Sequence, residues 1–247
     1  MPAHKSGETN ITLFWYDTPI DKVKRICYSL PMLATPTEQQ QLVDFFHTGV
    51  HQTYVKNEYI TGPDETPRGV FYIESGFVKS YDITKYGEEN LLIVRKAGEI
   101  IGLTWAITGQ VKSIINTALV PTSVWLVTRE QFHHFIRNHP EASPPIIDTL
   151  TNMYRLHSER IMTLEYRTVR ERLASFLITM AKRFGAQSGN GLTISVPLKQ
   201  QDIASSISAT RETTSRALAF LQQNGTISIE QSLITICDEE SLAAIIS

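Results

Sequence analysis

The sequence predicts an α+β protein of three parts: an antiparallel β-roll of jelly-roll type, a long helix, and a winged helix-turn-helix. Three stretches carry that expectation. Between Val55 and Thr128, short β-branched and aromatic runs alternate with glycine turns, as antiparallel strands require. From Ile146 to Thr168 neither proline nor glycine interrupts an apolar series spaced three and four residues apart. From Leu198 to Leu221 a short helix, a tight turn and an amphipathic second helix follow in order. The boundaries implied are 1–140 for an N-terminal arm and roll, 141–168 for the central helix and 169–247 for the winged domain.

A chain of 247 residues, 42% hydrophobic, suffices for two ordinary domains. No stretch reaches the roughly 18 to 20 apolar residues that span a bilayer, and the first ten residues lack the apolar run of a secretory signal. The expected setting is the cytoplasm, away from membranes. Cys27 and Cys237 stand far apart and read as reduced thiols. The net charge of −2 hides an asymmetry: residues 167–225 carry 8 Lys+Arg against 3 Asp+Glu, whereas residues 1–166 carry 15 against 18 and residues 226–247 carry 0 against 4. Basic charge thus gathers around the helix-turn-helix, where contacts to phosphates need it.

In chain order, an exposed arm is followed by a helix from Glu38 to Val50 whose Leu42, Phe45, Phe46 and Val50 share one face. His47 and His51, four apart on that helix, have metal-ligand spacing but no evident third ligand. The roll follows, with GVFYIESGFVKSYDI from Gly69 and ENLLIVRKAGEIIG from Glu89 as its longest strands. All seven histidines and both cysteines lie outside residues 52–132. A cupin-like metalloenzyme would need imidazoles on those strands, so no metal site is expected. In the central helix Ile147, Leu150, Tyr154, His157, Ile161, Leu164 and Thr168 form a heptad seam, which suits either pairing of two copies or packing onto the roll. Set across a two-fold axis, two His157 rings would repel when protonated and weaken a dimer below about pH 6.5.

Residues 167–184 form another amphipathic helix that buries Leu173, Phe176, Leu177, Met180 and Ala181. Gly185 to Gly191 reads as a turn, Thr193 to Val196 as a strand, and Thr226–Ile229 with Leu233–Ile236 as a hairpin wing before a last short helix opened by Asp238 to Glu240. Between strand and wing, Thr210 caps a helix beginning at Arg211. Ala217, Leu218 and Leu221 fall on its inner side, leaving Arg211, Glu212, Ser215 and Arg216 outside. Arginine can donate twice to guanine and a carboxylate can accept from cytosine N4, so this face has the chemistry to read G·C pairs in a major groove.

Residues 197–225 resemble the DNA-binding signature of the CRP/FNR family of bacterial transcription regulators. The family pattern [ST]-R-E-[TS]-x-[SG]-R is filled here by Thr210, Arg211, Glu212, Thr213, Thr214, Ser215 and Arg216. The roll is similar to a cyclic-nucleotide-binding domain through Tyr72, Gly76, Val78 and Lys79, then Gly87 and Glu89, then Gly98, Glu99, Ile101 and Gly102. The resemblance implies base contacts from Arg211, Glu212, Ser215 and Arg216, and phosphate contacts from Gln200, Thr210 and Thr213. It also implies a homodimer paired along the central helix, an inverted-repeat operator in double-stranded DNA, and activation through RNA polymerase. Ser208 stands where the family turn usually has glycine, and Ser206 where an apolar residue is usual. A cyclic nucleotide is not expected, because Leu103 occupies the position of the ribose-binding glutamate and Lys112 with Ser113 that of the phosphate-binding pair. Lys112 and Ser113, with Tyr154 and Arg155 as a second wall, are the candidate pocket for another small anionic effector. The iron-sulfur branch needs four cysteines, and only Cys27 stands near the amino end. No resident cofactor is expected. The alternatives are a cyclic-nucleotide-binding regulatory subunit and the metalloenzyme.

Overall fold

The protein begins its described course with a capping box. In the computed structural model, which describes residues 32–111, 113–189 and 191–246, the Thr35 hydroxyl accepts the Glu38 N–H and the Glu38 carboxylate accepts the Thr35 N–H. The terminal arm, Cys27 and Lys112 lie outside the described residues. Helix α1 (Pro36–His47) buries Leu42 and Phe46. It stops three residues short of the sequence expectation: Thr48 caps it, and Val50 opens a strand, 60% exposed. His51 therefore lies on a strand, and the histidine pair expected on one helix face does not exist. Both rings instead pack against Trp125, and His51 Nε2 meets Glu74 at 2.9 Å.

Two four-stranded antiparallel sheets make the roll. One has the order β1 (Val50–Tyr54), β8 (Thr122–Val127), β3 (Val70–Ser75), β6 (Ile100–Ile101); the other runs β2 (Tyr59–Thr61), β7 (Ile115–Ala118), β4 (Phe77–Ile83), β5 (Glu89–Lys96). Tyr54, Ile60, Phe71, Ile73, Val78, Ile101, Ala118 and Val124 fill the space between the sheets. The turn from β3 to β4 depends on Gly76 at φ 93°, where a Cβ would strike Thr122 and the Pro121 carbonyl. Helix α2 (Leu103–Thr108) interrupts the strands after β6, and α3 (Arg129–Asn138) closes the roll with a second capping box, Thr128 with Gln131.

Central helix α4 (Ser143–Tyr166) follows a 3-10 turn at Pro140–Ala142. It ends earlier than expected, because Arg167 is extended and Thr168 caps the next helix, α5 (Val169–Phe184), through Glu171. Phe176 of α5 is only half-buried, whereas Ala174 and Phe184 join its buried face. The stretch expected to be a bare turn contains strand β9 (Gly185–Ser188), paired with β10 (Gly191–Ile194). Helices α6 (Gln200–Ser206) and α7 (Arg211–Gln223) follow, then the wing, β11 (Ile227–Glu230) and β12 (Leu233–Ile236), and α8 (Glu239–Ala244) capped by Asp238.

Everything from Met32 onward forms one compact unit. Leu91, Val94 and Leu119 of the roll belong to the same buried cluster as Leu173, Leu177, Ile203 and Leu218 of the winged part. Polar contacts reinforce that seam. Lys79 Nζ reaches Asp202 Oδ1 at 3.1 Å, the Leu91 N–H donates to Ser205 Oγ at 3.2 Å, and Arg183 pairs with Glu99 at 2.7 Å.

Candidate nucleic-acid interface and ligand cavity

Helix α7 is held by its own apolar face and presents the other. Thr210 accepts the Thr213 N–H at 3.2 Å, fixing the first turn. Ala217, Leu218 and Leu221 are buried as the periodicity predicts, and Thr214 joins them with no exposure. Arg211, Glu212 and Arg216 are exposed and Ser215 is half-buried, so the four candidate base readers share the uncovered side. Arg216 Nη2 donates to Thr213 Oγ1 at 3.3 Å, which orients the guanidinium along the first turn. The Glu212 backbone N–H, ahead of the Thr210 hydroxyl and the charges of Arg211 and Arg216, holds the Glu212 carboxyl below the usual range. It is ionised at neutral pH and accepts only. Gln200 and Thr210 are exposed at the starts of α6 and α7, and Thr213 is half-buried beside them. At the turn between the helices, Ser208 takes φ 49°, the left-handed geometry that glycine adopts without strain. Ser206 is buried without an apolar side chain, and its carbonyl accepts from Arg160 Nε at 3.3 Å.

A cavity of about 380 Å³ lies between the roll and α4. Gly102, at φ 85°, turns the chain so that Leu103 and Trp105 of α2 form one wall. Strand β5 supplies Leu92, Ile93 and Arg95, and α4 supplies Met153 and His157. Ser113, Tyr154 and Arg155 do not line it. Ser113 is exposed, Tyr154 is 75% exposed, and Arg155 turns to Glu159 at 2.6 Å and Asn152 at 2.9 Å. The inward face of α4 is the one carrying Met153 and His157, offset from Tyr154 by a fraction of a turn.

Sequence reasoning missed Arg95. The residue is buried, 9% exposed; Nε donates to Ser80 Oγ at 3.3 Å and Nη1 to Met153 Sδ at 3.7 Å, and Ser80 in turn donates to Asn116 Oδ1 at 2.6 Å. No carboxylate among the described residues pairs with it, since Glu99, the acid whose charge reaches it, is engaged by Arg183. The available signal was a charge two residues from Ile93, in phase with the buried side of the strand. Burial, then the charges of Arg95, Arg160 and Arg183, lowers the His157 pKa. His157 is half-buried on the inner side of α4, away from the exposed stripe of Ile147, Leu150, Tyr154 and Ile161. His157 thus lies off the seam to which its spacing assigned it, on the side where the charges of Arg95, Arg160 and Arg183 reach it.

Comparison with known proteins gives matches over both parts. Residues 171–245 match the Crp-like helix-turn-helix domain, and residues 51–139 match the cyclic nucleotide-binding domain. The chain is 29% identical over 189 residues to the global nitrogen regulator of Nostoc sp., covering 76% of this chain and 85% of that protein. It is 28% identical over 211 residues to the CRP-like cAMP-activated global transcriptional regulator of Mycobacterium tuberculosis, covering 85% and 90%. Among solved structures, FixK2 from Bradyrhizobium japonicum superposes with a TM-score of 0.71 at 25% identity, over 81% of this chain and 98% of that one. Among the described residues no helix is long and apolar enough to cross a membrane.

Proposed function

The chain belongs to the CRP/FNR family of transcription regulators, and from that premise we propose that it works as a homodimeric activator whose grip on DNA is set by a small molecule in the roll cavity. One observation carries the DNA half of this reading: a capped helix buries Thr214, Ala217, Leu218 and Leu221 while Arg211, Glu212 and Arg216 face outward. In the major groove, Arg216 and Glu212 read a central G·C step, Arg211 adds a guanine or phosphate contact, and Ser215 reaches the adjacent base. Gln200, Thr210 and Thr213 set the helices on phosphates.

The apolar stripe left open on α4 supports pairing with a second copy. Two-fold symmetry then calls for an inverted repeat whose half-sites lie about 34 Å apart. Control follows from the position of the cavity: a ligand touching β5 on one side and Met153 and His157 on the other shifts the balance between two placements of α4 and the reader beyond it. Cyclic AMP, named for the mycobacterial relative, does not fit the residues here, because buried Leu103 offers a ribose hydroxyl no partner. No resident cofactor is assigned to the chain, and RNA polymerase is its protein partner at the promoter.

Selection of bound duplexes from a randomised pool at stated salt tests the proposal. Wild type should enrich an inverted repeat with a G·C step in each half. Glu212→Ala should relax that step alone, with a loss of about 1–3 kcal/mol in discrimination. Enrichment of a sequence unchanged by Glu212→Ala would mean that α7 does not read bases through this carboxylate.

A further inference from the structure

Resting on the reading of the roll cavity as the control site, we infer that its ligand is a small monocarboxylate with an apolar body, seated by its carboxylate on the guanidinium of Arg95. Among the described residues, those lining the cavity include Arg95 and His157 and not one Asp or Glu. Arginine does not deprotonate in proteins, so this buried residue, with no acid partner among the described residues, is an uncompensated cation. Its bonds are weak in kind: Nε meets a hydroxyl at 3.3 Å, and Nη1 meets a thioether sulfur, a poor acceptor, at 3.7 Å. A guanidinium has five N–H donors, and these two contacts leave the rest for an arriving acceptor. Ser80, itself anchored on Asn116, fixes the plane of the group.

The remaining walls select the rest of the ligand. Phe71, Ile100, Leu103, Trp105 and Ile114 are apolar, and the volume of about 380 Å³ sits low in the range of small-molecule sites. A body the size of an aromatic ring or a short acyl chain fits that space. A dianionic phosphate would set its second charge among those apolar walls, facing Arg95 as the one fixed cation among the described lining residues. A carboxylate carries one charge and matches the planar fork in bidentate fashion. This places the anion seat on β5; of the pair expected from the sequence, Ser113 is exposed and Lys112 lies outside the described residues. Because Nη1 rests on Met153 of α4, a carboxylate that takes this donor replaces a contact between roll and central helix, which ties occupancy to the position of α4.

The experiment uses the purified full-length protein and titrates phenylacetate, indole-3-acetate and hexanoate against phenylacetamide and phenyl phosphate, by calorimetry and by Trp105 fluorescence with Trp105→Phe as the control. At least one carboxylate should bind saturably, with its amide or phosphate counterpart at least about tenfold weaker. Arg95→Met should cost the same factor or more, with Arg95→Lys intermediate. Ligand-free Arg95→Met should melt no lower than wild type, because it removes an unpaired buried charge. The inference is overturned if no carboxylate binds, if acid and amide bind alike, if Arg95→Met binds as wild type does, or if Arg95→Met and Arg95→Lys both melt well below wild type without ligand. DNA affinity, measured with and without the bound acid, separates the two ideas. Arg95-dependent binding with no effect on DNA would remove the control role and keep the ligand assignment. A neutral amide that changes DNA binding in Arg95→Met would do the reverse.

Discussion

Ser208 holds φ at 49° between α6 and α7, and a β-carbon in that left-handed region carries a steric cost of about 1–2 kcal/mol. Glycine removes the clash but returns part of the gain through a freer unfolded chain. Ser208→Gly should therefore stabilise the protein by about 0.5–1 kcal/mol, read as a higher urea midpoint at unchanged slope. A lower midpoint would show that the serine relieves the turn in some other way. His157 gives the pH dependence at this scale. Arg95 from β5, Arg160 from its own helix and Arg183 from α5 all face it, and burial acts in the same direction, so its folded pKa lies below the ordinary 6.5. The unfolded chain then takes the proton first, and stability falls as pH drops below about 6.5 until the folded value has been passed. His157→Gln should flatten that acid slope in melting curves at pH 8, 6.5 and 5.5. Parallel curves for the two proteins would remove His157 as the cause.

At the scale of elements, the contact that joins reader to roll is α6 against β4 and β5, with Lys79 between Asp202 and Glu89. Burial alone would lower the Lys79 pKa, and the bonds to Glu89 and Asp202 override it, so the net shift is upward. Its contribution is fully present below the unfolded value near 10.5 and is lost only as pH rises through the raised folded value. A scan from pH 7 to 9 should leave it untouched. Lys79→Met strands the buried Asp202 carboxylate, which keeps the Lys199 N–H at 3.0 Å, and should destabilise by about 3 kcal/mol. Lys79→Met with Asp202→Leu should recover more than half of that in urea unfolding, whereas additive losses would deny the coupling. Helix α7 was readable because its cap and its 3.6-residue period lie within one short stretch. The cavity was not, because Ser80, Arg95 and Asn116 meet only through the pairing of β4 with both β5 and β7. Helix α4 was half readable: apolar residues occur on two of its faces, so spacing alone does not say that 153 and 157 turn inward while 150 and 154 turn outward. Strand β9 was hidden for another reason. A glycine-rich, polar run has no burial pattern, and its partner β10 makes it a strand.

At the scale of the whole molecule, α4 leaves Ile147 46%, Leu150 36%, Tyr154 75% and Ile161 61% exposed along one side. Isolated apolar residues on a surface need no explanation, but a stripe at seam spacing on a 24-residue helix does. A second copy packed along the same helix would cover it and would give the DNA two readers instead of one. Two linked contacts bind as the product of the parts scaled by an effective concentration, worth about 10²- to 10⁴-fold over a single reader. Leu150→Glu with Ile161→Glu places a carboxylate at two levels of the seam, and both side chains reach the surface of the single chain, 36% and 61% exposed, so the fold itself should survive. The expected result is a monomer by sedimentation equilibrium with unchanged circular dichroism and a loss of about 10²-fold or more in affinity for the full inverted repeat. The salt dependence supplies a second reading. Half the phosphates contacted means half the counterions released, so the slope of log affinity against log salt should fall by about half. A variant that remains dimeric would place the interface elsewhere. A monomer that kept both full affinity and full slope would mean that one reader alone accounts for the binding, and the two-fold arrangement would have to be abandoned.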